Sequence, residues 1–271
     1  MLIRSFFLFG LLASSAGAAA VPTDGYASYS GTADARHTSD FLYGEQHVLE
    51  YRQGRLAERV VLYTCHDGSA FARKVVNYVA GAPSVPDFLL EDASDGMREG
   101  IRSANPASPA GRTVFYRANA KAAEKSGPLP AASDLVADAG FDEFVRSHWA
   151  SLMTGDVSQM RFLLPSRLEA YEFQVQRLRH EVVDGIPTEV FRLRLSGFWG
   201  WFLTGIDVYY SDSDHSLVRY DGLSDLRDAS GDNFKVVIDF PPREAKPGDA
   251  ELMQRALQTS LAPCRSGDSV Q

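Results

Sequence analysis

Residues 171–195 read YEFQVQRLRHEVVDGIPTEVFRLRL, and this stretch decides the fold class. Tyr171, Phe173 and Val175 fall on one face, with Glu172, Gln174 and Gln176 on the other. Beyond Asp184-Gly185, Phe191, Leu193 and Leu195 alternate with Arg192 and Arg194. Apolar residues at every second position describe a half-buried strand, because successive side chains of extended backbone point to opposite faces. Asp-Gly between two such runs is a hairpin signal, since glycine takes the positive φ of a tight turn at no steric cost. The segment predicts two antiparallel strands, 171–182 and 187–196.

The same pattern continues outward in both directions. Gln53-Gly54 separates runs at 41–52 and 55–64, His66-Asp67-Gly68 precedes a run near 69–79, and Ser94-Asp95-Gly96 divides 87–92 from 97–103. Met160, Phe162 and Leu164 alternate with Gln159 and Arg161, as do Phe234, Val236, Ile238 and Phe240 with Lys235 and Asp239. Serial hairpins build an antiparallel meander, whereas parallel strands need long crossovers that this sequence scarcely offers. Two segments have helical spacing. From Asp138 to Met153, Phe141, Phe144, Val145, Trp149 and Leu152 recur every three or four residues, with Asp138 as the cap and Asp142 and Glu143 in the first turn. A second helix is predicted over 249–259, with Leu252, Met253, Ala256 and Leu257 as its stripe. Residues 104–110 and 118–134, rich in Ala, Ser, Pro and Gly, read as loops. The predicted fold is mainly β with few helices: a large curved antiparallel sheet, a half-barrel of about eleven strands, with the 139–153 helix on its concave face. A closed β-barrel is the alternative.

The N-terminus carries a different signal. Arg4 is followed by the apolar run Phe6 to Leu12 and by small residues ending in Ala18-Ala19-Ala20. This is the layout of a cleavable signal peptide, residues 1–20, with the mature chain starting at about Val21. An uncleaved membrane anchor is the alternative, but the run falls short of the roughly 20 apolar residues that span a bilayer. No later run is that long, so no transmembrane segment is expected after cleavage. Residues 21–271 read as a single β-rich domain in the periplasm.

Charge and cysteines narrow the function. The chain has 27 Lys and Arg against 35 Asp and Glu. With no basic block it does not suit nucleic acid or anionic lipid heads, which need clustered cations. Cys65 and Cys264, an even count in an oxidising compartment, predict one disulfide that pins the C-terminal tail to an early strand. Two free thiols, or a reactive Cys65, are the alternatives.

No motif of catalysis stands out. His37, His47, His66, His148, His180 and His215 show no metal-ligand spacing, and no nucleophile elbow is present. Asp212-Ser213-Asp214, and Asp225, Asp228 and Asp232 around Gly231, read as turns. No catalytic residue, metal ligand or cofactor is therefore assigned. The most unusual stretch is Phe198-Trp199-Gly200-Trp201-Phe202. It is either an exposed apolar patch or a buried strand bend.

The strings Phe71-Ala72-Arg73-Lys74, Asp138 to Arg146 and Phe162 to Leu168 resemble a family of uncharacterised exported proteins of Gram-negative bacteria. The resemblance implies a periplasmic location and no activity. More distantly, the predicted architecture is similar to the lipoprotein-carrier (LolA/LolB-like) half-barrels, which cradle acyl chains between sheet and helices. The first functional expectation is accordingly a periplasmic protein that binds or carries an apolar ligand such as a lipid or acyl chain, with Phe144, Trp149, Phe198, Trp199, Trp201 and Phe202 as lining residues. A structural or interaction protein of the envelope, with a protein partner, is the alternative, and a hydrolase the second alternative.

Overall fold

The computed structural model describes residues 24–104, 111–196, 205–228, 230–241 and 246–264. The signal segment 1–20 and the aromatic run 198–202 lie outside the described residues. The first half of the chain is a meander of eight strands: β1 (Gly25–Ala35), β2 (Phe41–Arg52), β3 (Arg55–Thr64), β4 (Ala70–Val79), β5 (Ala82–Asp92), β6 (Arg98–Ser103), β7 (Arg112–Arg117) and β8 (Lys125–Pro128). Then come β9 (Leu135–Val136), helix α1 (Gly140–Met153), β10 (Ser158–Leu164), β11 (Glu169–Val183), β12 (Ile186–Leu195), β13 (Ile206–Ser211), β14 (Leu217–Arg227), β15 (Asn233–Asp239), β16 (Lys246–Gly248) and helix α2 (Ala250–Gln258).

Fifteen strands form one open sheet in the order β8-β7-β6-β5-β4-β3-β2-β1-β15-β14-β13-β12-β11-β10-β9. β15 pairs with one end of β1, from Thr32 to Ala35, and β16 with the other, from Tyr26 to Ser28. The estimate of eleven strands is too low, in part because β8, β9 and β16 are too short to show periodicity. β8 falls within 118–134, read above as a loop. Its sequence, Lys-Ser-Gly-Pro, has no strand character, and it is a strand only through its backbone pairing with Thr113 to Tyr116. β9 and β10 are the one parallel pair among the described strands. The sheet is not closed, so the barrel alternative is set aside.

The sheet curves tightly enough to surround α1. The helix touches β5 on one side and β10 and β11 on the other. In the sheet order, β5 and β11 stand nine steps apart. At about 4.8 Å per step a flat sheet would separate them by roughly 43 Å. A helix of 14 residues is only about 21 Å long. Both strands reach α1 because the sheet wraps around it. Gly140 sets the approach at the helix start: a Cβ there would lie 2.2 Å from the carbonyl oxygen of Ser84 on β5. Asp138 is not the cap that the sequence suggested. The N-cap is Ala139, without a side-chain cap, and Asp138 has a positive φ of 47° and turns its carboxylate to Lys74.

Alternation on β3 sorts the two faces. Arg59, Val61 and Tyr63 point inward to α1 and its surroundings, while Val60 and Leu62 point outward to α2. α2 packs Met253 and Ala256 on that outer face, with Asp249 capping it through the amide of Leu252 at 2.7 Å. Arg73 on β4 donates to the carbonyl oxygens of Leu257 at 2.6 Å and Thr259 at 3.0 Å, where the helix dipole favours a cation. The Cys65–Cys264 disulfide closes beyond it, across 199 positions of sequence, as the cysteine count predicted.

The apolar residues of the interior gather in clusters. A first cluster includes Tyr43, Val61, Tyr63, Leu90 and Met97. A second joins Phe144, Val145 and Leu152 of α1 to Met160, Phe191 and Tyr210. A third joins Val76, Phe88, Ile101 and Val114 to Leu135 and Leu163. Partly buried side chains link them, Leu217 and Tyr220 between the first two and Leu168 between the first and third.

Candidate binding site

Between these clusters lie ionisable groups. Lys74 sits in the middle of β4 at an inward position, flanked two residues away on each side by buried Ala72 and Val76. Its Nζ donates to Asp138 at 2.7 Å and to Asp225 at 2.5 Å. Asp138 belongs to the turn before α1, and Asp225 to β14 on the opposite arm of the sheet. The Lys74 and Asp138 side chains are 10% and 6% exposed, but that of Asp225 is 48% exposed, so the group opens to solvent at one end. Burial raises the pKa of Asp138 in spite of the opposing ammonium of Lys74.

Glu99 on β6 is a further acidic residue of this face, two strands from Lys74. Its cross-strand partners are Leu90 and Tyr116, which places it on the inner face. Glu99 is buried, and no hydrogen bond or ion pair ties its carboxyl to another described residue. Burial pushes it up to about 8, with Asp225 adding to the rise and Lys74 and Arg227 opposing it. Arg227 is occupied in part by the hydroxyl of Tyr116.

The consequence for stability has a definite sign. A carboxyl whose folded pKa is raised from 4.5 to about 8 binds a proton in the native state that the unfolded chain has released. Stability therefore falls as pH rises between those values and levels off above them. Glu99→Gln is expected to leave stability near pH 5 almost unchanged and to raise it at pH 9 by on the order of 2 kcal/mol, allowing for the amide's own burial. Urea midpoints at the two pH values measure this. Equal effects at both would refute it.

Asp142 makes a further polar connection between the arms of the sheet across the interior. Asp142 of α1 accepts from both terminal nitrogens of Arg59 on β3 at 3.2 Å and from the hydroxyl of Tyr210 on β13 at 2.8 Å. Burial opposes ionisation of Asp142, but Arg59, Arg146 and the Tyr210 hydrogen bond outweigh it and hold the carboxyl below its usual range. Nearer β1, His47 contacts Glu45 at 2.7 Å, and its ring stacks on Tyr29 at 4.3 Å.

A separate group could hold a metal ion. His180, Glu189 and Asp212 bring one ligand atom each to within 4.8 Å of the others. The Nδ1 of His180 lies 3.3 Å from Glu189 and 3.4 Å from Asp212. The guanidinium of Arg177 contacts both oxygens of Glu189, so this carboxylate is neutralised without a metal ion. Sequence spacing missed the group because its members come from β11, β12 and the β13–β14 turn, and β-sheet register brings His180 opposite Glu189.

The residues proposed from sequence are placed as follows. Phe144 is buried in the second cluster and stacks on His148 at 4.1 Å. Trp149 lies at that cluster's edge, edge-on to Phe191 at 5.1 Å and stacked on His215 at 3.7 Å. Phe198, Trp199, Trp201 and Phe202 are outside the described residues. Lys74, Glu99, Asp138 and Asp225 were not anticipated. For Lys74 and Glu99 the available signal was a charge at the inward parity of a strand, between Ala72 and Val76 in one case and Met97 and Ile101 in the other.

Fold and site together define a mainly β protein whose single sheet surrounds a helix and buries ionisable groups beside it. Among the described residues no helix is long and apolar enough to cross a membrane. No protein-family model matches the chain, and no curated protein matches it. Among solved structures it is similar to a DUF1329 family protein from Desulfovibrio piger, at 12% identity, over 87% of this chain and 92% of that one, with a TM-score of 0.28.

Proposed function

We propose that the protein is exported through residues 1–20 and binds or carries an apolar or amphipathic small molecule, such as a lipid or acyl chain, within the curve of its sheet. One observation carries this reading. The interior carries apolar clusters beside a largely buried ion-paired group, Lys74 with Asp138 and Asp225, that reaches solvent at Asp225. Apolar walls with a few convergent polar groups of shifted pKa are the usual make-up of a small-molecule site. The disulfide supports export, since such bonds persist in oxidising compartments.

The test is native mass spectrometry of the protein purified from its own compartment, paired with titration of the stripped protein with a fluorescent fatty acid. A co-purifying apolar mass near one per chain, or saturable uptake of the probe, is the expected result. A clean apo mass together with no saturable uptake would overturn the reading. Within a positive result, Trp149→Ala is expected to weaken uptake, because its ring borders the second cluster.

A further inference from the structure

We propose that His180, Glu189 and Asp212 bind a divalent transition-metal ion of the zinc class, with three protein donors and the remaining coordination open to water. This site is independent of the apolar-ligand reading above.

The backbone brings the three together. His180 on β11 stands directly opposite Glu189 on β12, and Glu189 opposite Tyr210 on β13. Directly paired residues share a face of the sheet, so His180 and Glu189 project side by side. Asp212 follows β13 in the turn to β14, and its amide donates to the carbonyl oxygen of Pro187 at 3.1 Å, which ties that turn to β12. All three donors therefore stand on one hydrogen-bonded piece of sheet, which holds a site more precisely than loops do.

The spacing argues for an ion between the donors. The Nδ1 of His180 lies 3.3 Å from Glu189 and 3.4 Å from Asp212. Charge-assisted hydrogen bonds are shorter, about 2.7–2.9 Å, and one Nδ1 proton cannot point at both carboxylates. Two donors bound to the same tetrahedral zinc, each about 2.0–2.2 Å from it, stand about 3.3–3.5 Å apart. The third separation, Glu189 to Asp212, is within 4.8 Å. From these three distances, an ion at the centre of the triangle lies no more than about 2.4 Å from each donor, a few tenths of an ångström beyond the zinc range. The side chain of Asp212, 38% exposed, can rotate to close that gap.

The donor chemistry selects the ion. An imidazole nitrogen suits zinc and its neighbours, whereas calcium and magnesium take oxygen ligands in larger number. Arg177 fits as the partner that orients Glu189. It holds both oxygens from one side, and each oxygen of a carboxylate has a second lone pair to offer. Arg177 balances the charge of Glu189. Asp212 has no ion pair but that with His180 among the described residues, so its negative charge remains for the metal. His180 and Asp212 are 45% and 38% exposed, which gives the ion its route in and leaves room for water on the open side.

The test is calorimetric titration of the untagged, chelator-stripped protein with zinc chloride and, separately, calcium chloride. One zinc ion per chain is expected to bind saturably, at least about tenfold tighter than calcium. His180→Ala and Asp212→Asn alter exposed side chains and spare the Glu189–Arg177 pair. Each is expected to weaken zinc at least about tenfold, since loss of an outer partner of a ligand alone costs that much. His37→Ala, at an exposed histidine elsewhere, is expected to change nothing. Zinc is also expected to raise the Tm of the parent and not of the two site variants. Absence of saturable zinc binding would overturn the site. So would zinc binding that both site variants retain, because the ion would then lie elsewhere. Calcium binding as tight as zinc would refute the imidazole donor and the choice of ion.

Discussion

Reduction of the Cys65–Cys264 disulfide, or Cys264→Ser, is expected to produce the largest loss of stability of any single change in this chain. The bond closes a loop spanning 199 positions. In the chain-entropy account, tying ends that far apart removes about 5 kcal/mol of freedom from the unfolded state. That account sets the ceiling. The folded state adds a local loss: Ala262 donates to the carbonyl oxygen of Ala70 at 3.0 Å, and α2 covers Val48, Val60 and Leu62. Without the bond, the segment beyond α2 loses its anchor and that apolar face is uncovered more often. Urea unfolding with and without reductant measures the loss. A difference under about 1 kcal/mol would show that the unfolded chain is held compact by other means.

The second large effect is expected at Arg59→Met. The substitution leaves the Asp142 carboxylate buried with the hydroxyl of Tyr210 and without its closest cation. Breaking one side of a buried ion pair costs about 3–5 kcal/mol, mostly the penalty of the charge left behind. The double substitution Arg59→Met with Asp142→Leu removes both charges and is expected to recover much of that cost, so the two changes should be strongly non-additive. A double-mutant cycle in urea provides the test, and simple additivity would refute it. Acid gives an independent check. Asp142 has a folded pKa lowered from 3.8, so its contribution is fully present above that value and is lost as pH falls through the lower folded pKa. The Arg59→Met variant should lose this part of the acid transition.

The turns and strands of this fold were legible from local sequence, and the long-range assembly was not. Gln53-Gly54 and Asp184-Gly185 marked hairpins whose strands, β2 with β3 and β11 with β12, end within about two residues of the predicted limits. Those positions have positive φ, a requirement that sequence alone announces. The pairing of β1 with β15 and β16 carries no such mark, because any alternating strand pairs with any other through its backbone. The curvature was expected, but its extent follows only from which strands share α1. The candidate site was largely illegible for the same reason. Lys74 and Glu99 could be noticed as charges at inward positions, but their neighbours Asp138 and Asp225 come from a turn and from the far arm. The aromatic residues that sequence singled out were chosen for bulk. Phe144 and Trp149 prove to be packed against other rings.

The place of β1 in the sheet bears on how the chain reaches its folded state. Both edges of β1 are occupied, one by β2, next in sequence, and the other by β15 and β16, which are made about 200 residues later. Until they arrive, the N-terminal meander exposes an unpaired strand edge at its start, the kind of edge that templates association between chains. A chain emerging N-terminus first therefore carries an aggregation hazard for most of its passage, and its two halves are joined only when the last strands close on the first. Any truncation ahead of Asn233 makes that hazard permanent.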